Sequence, residues 1–217
     1  MRGSRTLGLL AACALLGHAS MGDAQVRDAE VRDAAAETAG RQALETFITQ
    51  WNTADDANLR QAMHFPFVTV PGGGALFIDN EPGDFSAGFE QMRATQGWSR
   101  SSFDFGAYTV VKSSADKVHA EIGFSRYGAD GTAYMQSRVF YIVTKRDDRW
   151  AVQLRTSAAS PADLGPDERA DIVAAARQAV LDFFTAFNAG DAEGTVQSLN
   201  HPHLFMTPTG GFAVAET

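Results

Sequence analysis

The sequence from residue 47 to residue 55 reads FITQWNTAD, and this stretch decides the fold. It ends a helical pattern over residues 29–53, in which apolar residues recur at three- and four-residue spacing with polar residues between them. These apolar residues are Ala43, Leu44, Phe47, Ile48 and Trp51. Asp55 suits the first turn of a second, short helix, which must end before Pro66. The stretch therefore predicts two consecutive helices.

Strands dominate the sequence that follows. Residues 65–70 and 75–78 flank a glycine-rich turn and predict a hairpin. A third short helix is indicated by the helical spacing of Phe85, Phe89 and Met92. Four long strands are expected over residues 102–112, 117–127, 132–145 and 149–156. Helices first and an antiparallel meander last are typical of an α+β fold, with helices covering one face of a curved sheet.

This order of elements resembles the nuclear transport factor 2-like superfamily, which includes the SnoaL-like polyketide cyclases and the ketosteroid isomerases. The resemblance is carried by residues 47–55 and by residues 183–191, which read FFTAFNAGD and are closer to the superfamily's usual opening. It implies a cone-shaped half-barrel, with N-terminal helices packed over the concave face of the sheet and an apolar cavity inside. It implies little about activity, because enzymes and non-enzymes share this fold.

An internal repeat relates the two stretches. At one constant shift along the chain, identical residues recur at positions with the same expected structural role: Phe47 with Phe183, Asn52 with Asn188, Asp55 with Asp191 and Pro66 with Pro202. We therefore expect a complete domain over residues 28–157, a linker over 158–166 and a truncated second copy over 167–217. Either the second copy is cut short, or its helices dock on the first domain.

The first residues are typical of an export signal. Two arginines precede an apolar run over residues 7–17 that is too short to cross a bilayer, and small residues suit cleavage near Ala24. We therefore predict a periplasmic or secreted protein without residues 1–24. The sequence before Cys13 also resembles a bacterial lipobox, so attachment to a membrane through a lipid on Cys13 is the alternative.

Composition excludes several classes of function. The chain has 217 residues, a formal net charge of −8 and no run of basic residues, so we expect no nucleic-acid partner. Its single cysteine excludes a disulfide framework and a cysteine-rich zinc site. His201 and His203 could share a strand face, but no nearby third ligand completes a metal site. We predict no metal and no cofactor.

One activity of the resembled superfamily can be tested residue by residue. In ketosteroid isomerases, a tyrosine five residues before the Asn donates to the oxyanion, and an aspartate before a proline moves the proton. Here the tyrosine position holds Phe47 and Phe183, and the residue before the nearest comparable proline is Val70, before Pro71, or Thr207, before Pro208. Phenylalanine cannot donate a hydrogen bond, and neither valine nor threonine accepts a proton near neutral pH. We therefore reject isomerase chemistry of that type.

Four side chains are candidates for a site in the cone. His64 lies where the chain enters the first strand and could act as a general acid or base, or instead be a solvated histidine at a helix end. Arg138 shares a strand face with Phe140 and could hold an anion or extend to the sheet edge. Tyr141 and Trp51 could supply a phenolic donor and a wall, although large aromatic residues at such spacing are usually core.

The expected function is binding of a small apolar or amphipathic molecule in the cone, without a recognisable catalytic set. A first alternative is an isomerase, cyclase or dehydratase that uses His64 as acid or base and Arg138 as anion holder. A second alternative is an assembly module that dimerises through the sheet face bearing His119 and Glu121. The superfamily resemblance favours a homodimer of this kind.

Overall fold

The structure is a computed structural model that describes residues 32–157, 165–206 and 211–215. The predicted export signal, Cys13 and most of the predicted linker lie outside the described residues, as does Thr207. Export, lipidation and the linker therefore stay predictions.

Two helices open the described chain, as the sequence predicts. Helix α1 spans Ala34–Trp51, and its N-cap Asp33 accepts a hydrogen bond from the backbone N–H of Ala36. Helix α2 spans Asp56–Arg60, and its N-cap is Asp55. A 3₁₀ turn over Pro82–Asp84 precedes helix α3, Phe89–Gln96. Phe85 lies outside α3, because Gly88 adopts a left-handed φ of 68° immediately before the helix begins.

One six-stranded sheet contains the predicted hairpin and meander. Its strands are β1 Met63–Val70, β2 Phe77–Asp79, β3 Trp98–Ser114, β4 Lys117–Gly128, β5 Ala133–Arg146 and β6 Arg149–Ser157. They lie in the order β2-β1-β6-β5-β4-β3, which leaves the sheet unclosed. Every pair is antiparallel except β1 with β6, which is parallel. The predicted α+β class is confirmed, and the parallel pair is an addition that sequence patterning did not indicate.

The main core lies between α1 and one face of this sheet, which we call the helix-covered face. Phe47 of α1 is 2% exposed, and its ring lies 6.4 Å from that of Phe103 and 5.9 Å from that of Tyr141, between centroids. Gly40 brings the helix backbone close to the sheet, since a Cβ added there would lie 3.0 Å from Val118 Cγ2. The ring contacts of Phe47 and the close approach at Gly40 therefore hold α1 against the sheet.

Asn52 fixes the end of α1 on the sheet. Its side-chain amide donates to the carbonyl of Ser101 at 2.9 Å, and its Oδ1 accepts from the backbone N–H of Ser101 at 2.8 Å. This pair of hydrogen bonds satisfies backbone groups at the start of β3. The asparagine of the 47–55 stretch therefore joins the first helix to the meander.

The second half of the described chain forms α4 Pro166–Ala189, α5 Ala192–Gln197, β7 His203–Met206 and β8 Phe212–Ala215. β7 and β8 make an antiparallel hairpin whose Leu204, Met206 and Phe212 pack on a small core of Val68, Ile142 and Leu154. That core lies on the other face of the six-stranded sheet, which we call the open face. The hairpin therefore covers part of the open face.

Helix α4 differs from α1 in burial. No residue of α4 is buried, and Phe184 and Phe187 are 52% and 47% exposed. The order α4, α5, β7, β8 is the order of α1, α2, β1, β2, while a second copy of the domain stays a prediction. Dimerisation through the open face also stays a prediction.

Replacing Gly40 with leucine tests the close approach of α1 to β4. We expect the free energy of unfolding to fall by about 1–3 kcal/mol, because the new side chain overpacks against Val118. Urea titration followed by circular dichroism measures the change.

Gly83→Leu is the matched control, since a Cβ at Gly83 would meet no atom within 4 Å. It should change the free energy of unfolding by no more than about 0.5 kcal/mol. Equal effects at the two positions would contradict the packing described for α1.

Candidate functional site

A cavity of about 420 Å³ opens on the helix-covered face, beyond the end of the core. Strands β4, β5 and β6 and the segment that ends β1 supply its walls. Its lining consists of Thr69, Val70, Pro71, Gly72, Phe124, Arg126, Met135, Gln136, Ser137, Val139, Tyr141, Arg155 and Ser157. The alternation of side chains along each strand turns Phe124, Val139 and Tyr141 toward the helices, so the wall continues the core.

Tyr141 is positioned at the base of the cavity. Its side chain is 2% exposed and packs edge-on against Phe47 and Phe103. Burial raises the pKa of its phenol to about 12, and the charges of Arg155 and Arg126 act in the opposite direction. Tyr141 is therefore a neutral phenol at ordinary pH and can donate a hydrogen bond into the cavity.

Trp51 is the last residue of α1 and packs against Arg155, outside the described lining of the cavity. It is 2% exposed, and its indole N–H is buried without a hydrogen-bond partner among the described residues. The guanidinium carbon of Arg155 lies 5.4 Å from the centroid of the Trp51 rings. Arg155 is also directly opposite Tyr141 across the β5–β6 pair. One arginine therefore links the two aromatic residues that the sequence singled out.

Arg138 lies on the open face, away from Tyr141. Its Nε is 2.8 Å from Glu121 Oε1, and the Arg138 and Glu121 side chains are 48% and 39% exposed. Adjacent residues of a strand point to opposite faces, so Val139 lines the cavity and Arg138 does not. The structure therefore brings Trp51 and Tyr141 together around Arg155 and places Arg138 outside that group.

His64 belongs to a buried hydrogen-bond chain. Its Nδ1 lies 2.9 Å from Thr144 Oγ1, and Thr144 donates its hydroxyl hydrogen to Gln153 Oε1 at 2.9 Å. Because that hydrogen is already used, Thr144 accepts from His64 and the imidazole proton is on Nδ1. His64 is 4% exposed, and the described lining of the cavity does not include it.

Two arginines donate hydrogen bonds to backbone carbonyls near His64. Arg149 donates to the carbonyls of Gln61 and Met63 at 2.8 and 2.9 Å, and Arg146 donates to the carbonyl of Phe65 at 2.7 Å. Burial, and then the charges of Arg149 and Arg146, lower the pKa of His64 to about 4. The imidazole is therefore neutral near pH 7 and links β1 to Thr144 of β5 and, through it, to Gln153 of β6.

Sequence reasoning missed the two arginines of the cavity, Arg126 and Arg155. A signal for Arg126 was present, because it continues the alternation of Ile122 and Phe124 along β4. No comparable signal marked Arg155. The β5–β6 register shifts between Ile142 and Val143, so alternation along β6 alone does not assign its face.

The described residues offer no metal centre: they contain no group of three or more His, Cys, Asp or Glu side chains that could hold a metal ion. In the part of the chain that the structure describes, no helix is long and apolar enough to cross a membrane.

Comparison of the sequence with known proteins finds no match, either to a family profile or to a curated protein. Comparison of the fold finds solved structures described as nuclear transport factor 2-like or cystatin-like, the group that the sequence resembles.

Three of the structures found by the fold comparison indicate the degree of similarity. An NTF2-like protein from Novosphingobium aromaticivorans is 16% identical with a TM-score of 0.49, over 77% of this chain and 97% of the neighbour. A protein of unknown function with a cystatin-like fold from Nostoc punctiforme is 15% identical with a TM-score of 0.49, over 60% and 96%. Aln2 from Streptomyces is 14% identical with a TM-score of 0.47, over 58% and 91%.

The lowered pKa of His64 predicts a pH-dependent stability. The unfolded chain binds a proton at His64 as the pH falls below about 6.5, whereas the folded chain binds it only near pH 4. Stability is therefore fully present above pH 6.5 and is lost progressively from there down to pH 4.

His64→Asn removes the titration and keeps an N–H donor for Thr144. Between pH 7 and pH 5, we expect the free energy of unfolding of the wild type to fall further than that of the variant, by up to about 2 kcal/mol. Urea titrations at the two pH values measure this difference. An identical pH dependence in the two proteins would show that His64 is not the group responsible.

Proposed function

We propose that this chain is an exported SnoaL-like protein that binds a small amphipathic molecule in the cavity above Tyr141. The cavity carries the proposal: its volume of about 420 Å³ lies within the range of roughly 300–1,000 Å³ usual for small-molecule sites. Export rests on the sequence of residues 1–24.

The lining supports an amphipathic ligand. Phe124, Met135 and Val139 offer an apolar wall for the body of the molecule. Tyr141, Ser137 and Ser157 offer hydroxyl groups for a polar end. Most of the wall comes from strands of a packed sheet, so the site is held by a rigid framework and loses little entropy on binding.

Binding is favoured over acid–base catalysis by the location of the titratable groups. The phenol of Tyr141 has a pKa raised to about 12, far above neutral pH, so it can donate a hydrogen bond but is a poor proton acceptor. His64 uses its proton in the chain to Thr144. The described cavity lining has no side chain whose ordinary pKa is near 7.

Filling the cavity tests the proposal. We expect neutral amphiphiles such as octanamide and 4-phenylbutanamide to bind the wild-type chain. Ser137→Trp should weaken that binding at least about tenfold, or about 1.4 kcal/mol, because the indole occupies the space lined by Phe124 and Tyr141. Isothermal titration calorimetry measures the affinities.

Thr109→Trp is the matched control, since Thr109 is an exposed residue of β3 outside the lining of the cavity. It should leave the affinities unchanged. Failure of octanamide, 4-phenylbutanamide and the two corresponding acids, octanoate and 4-phenylbutanoate, to bind the wild-type chain would contradict the proposed function.

A further inference from the structure

Two guanidinium groups belong to the lining of the same cavity. Arg126 of β4 and Arg155 of β6 both line it. Both also lower the pKa of Tyr141, against the dominant effect of burial, and Arg126 lowers the pKa of Arg155 as well. Like charges that act on one another in a partly desolvated space repel, so this arrangement costs free energy when the cavity holds no anion.

Neither arginine has an acidic partner within ion-pair distance in the part of the chain that the structure describes. Four ion pairs of the described residues, Arg32 with Glu37, Arg41 with Glu45, Arg138 with Glu121 and Lys145 with Asp148, involve neither of the two arginines. Arg155 forms no hydrogen bond or ion pair with the described residues, and Asp79 raises its pKa only from beyond ion-pair distance. Arg126 donates to the neutral amide oxygen of Gln96 at 3.0 Å, and its Nε is buried without a partner.

The charge of the cavity is opposite to that of the whole chain. Acidic residues outnumber basic ones, 26 to 18, yet the described lining contains two arginines and no Asp or Glu. Burial is the largest influence on the pKa of Arg155 and lowers it, which marks a cation removed from water. A desolvated cation gains most from an anion, and a guanidinium can bind a carboxylate through two parallel hydrogen bonds.

We infer that the cavity recognises a small organic carboxylate. Its head group would lie between the Arg155 guanidinium and the Tyr141 hydroxyl, and its apolar body would lie along Phe124 and Val139. This inference rests on the proposed function and specifies the ligand class of the same site. Trp51 contributes a cation–π contact that positions Arg155, since the centroid of its rings lies 5.4 Å from the guanidinium carbon. Arg126 adds a second positive charge at the wall formed by Phe124.

Matched acids and amides test the inference with the full-length chain at pH 7. The pairs are octanoate with octanamide and 4-phenylbutanoate with 4-phenylbutanamide, so that each pair differs in charge but hardly in size. By calorimetry, we expect each acid to bind the wild type at least about tenfold more tightly than its amide. Arg155→Met should lose that tenfold preference, because methionine keeps an apolar stem without the charge.

Two further variants complete the experiment. Arg138→Met is the matched control, since Arg138 is exposed on the open face and should not affect either ligand. Ser157→Glu places a carboxylate in the cavity lining at the last residue of β6, where it should compete for Arg155 and abolish acid binding. It serves as the test if circular dichroism shows that Arg155→Met does not fold.

The outcomes separate the two proposals. Equal binding of acids and amides by the wild type would overturn the carboxylate inference and leave binding in the cavity standing. Binding of neither would overturn both. An acid preference that survives in Arg155→Met or in Ser157→Glu would overturn the role assigned to Arg155.

Discussion

The seating of α1 on the sheet is the constraint on which the rest of the structure depends. Gly40 allows the helix to approach Val118, and Phe47 packs its ring against both Phe103 and Tyr141. Because Tyr141 is held by the same ring that anchors the helix, the base of the cavity is part of the core. The stability of the fold and the geometry of the site therefore rest on shared contacts.

The two faces of the sheet have different tasks. The helix-covered face holds the main core and the cavity, whereas the open face holds the Arg138–Glu121 pair and the small core under the β7–β8 hairpin. Adjacent residues of a strand belong to opposite faces, as Arg138 and Val139 show. A one-residue shift in register would exchange their chemistry.

The fold was largely predictable from the sequence, and the site only in part. Periodicity located the helices and strands, since α1 and the meander carry long, regular patterns. The aromatic residues Trp51 and Tyr141 could be placed near a cavity because large rings gather at the core. The position of Arg155 in the cavity could not be predicted. The face of the sheet on which Arg155 lies depends on the irregular pairing of β5 with β6, which the sequence of one strand does not reveal. The hydrogen bonds of His64 were equally hidden, because Thr144 and Gln153 are distant from it in sequence.

The contrast between an acidic chain and a basic cavity has a kinetic consequence. A small anion diffusing toward the protein meets the field of a net charge of −8 before it meets Arg155. Dissolved salt weakens that outer field strongly, because the charges that produce it are mostly in water, and weakens the partly desolvated inner contacts much less. The rate at which anions enter should therefore rise with ionic strength while their rate of escape changes little. This is the reverse of the behaviour of proteins whose whole surface attracts their ligand.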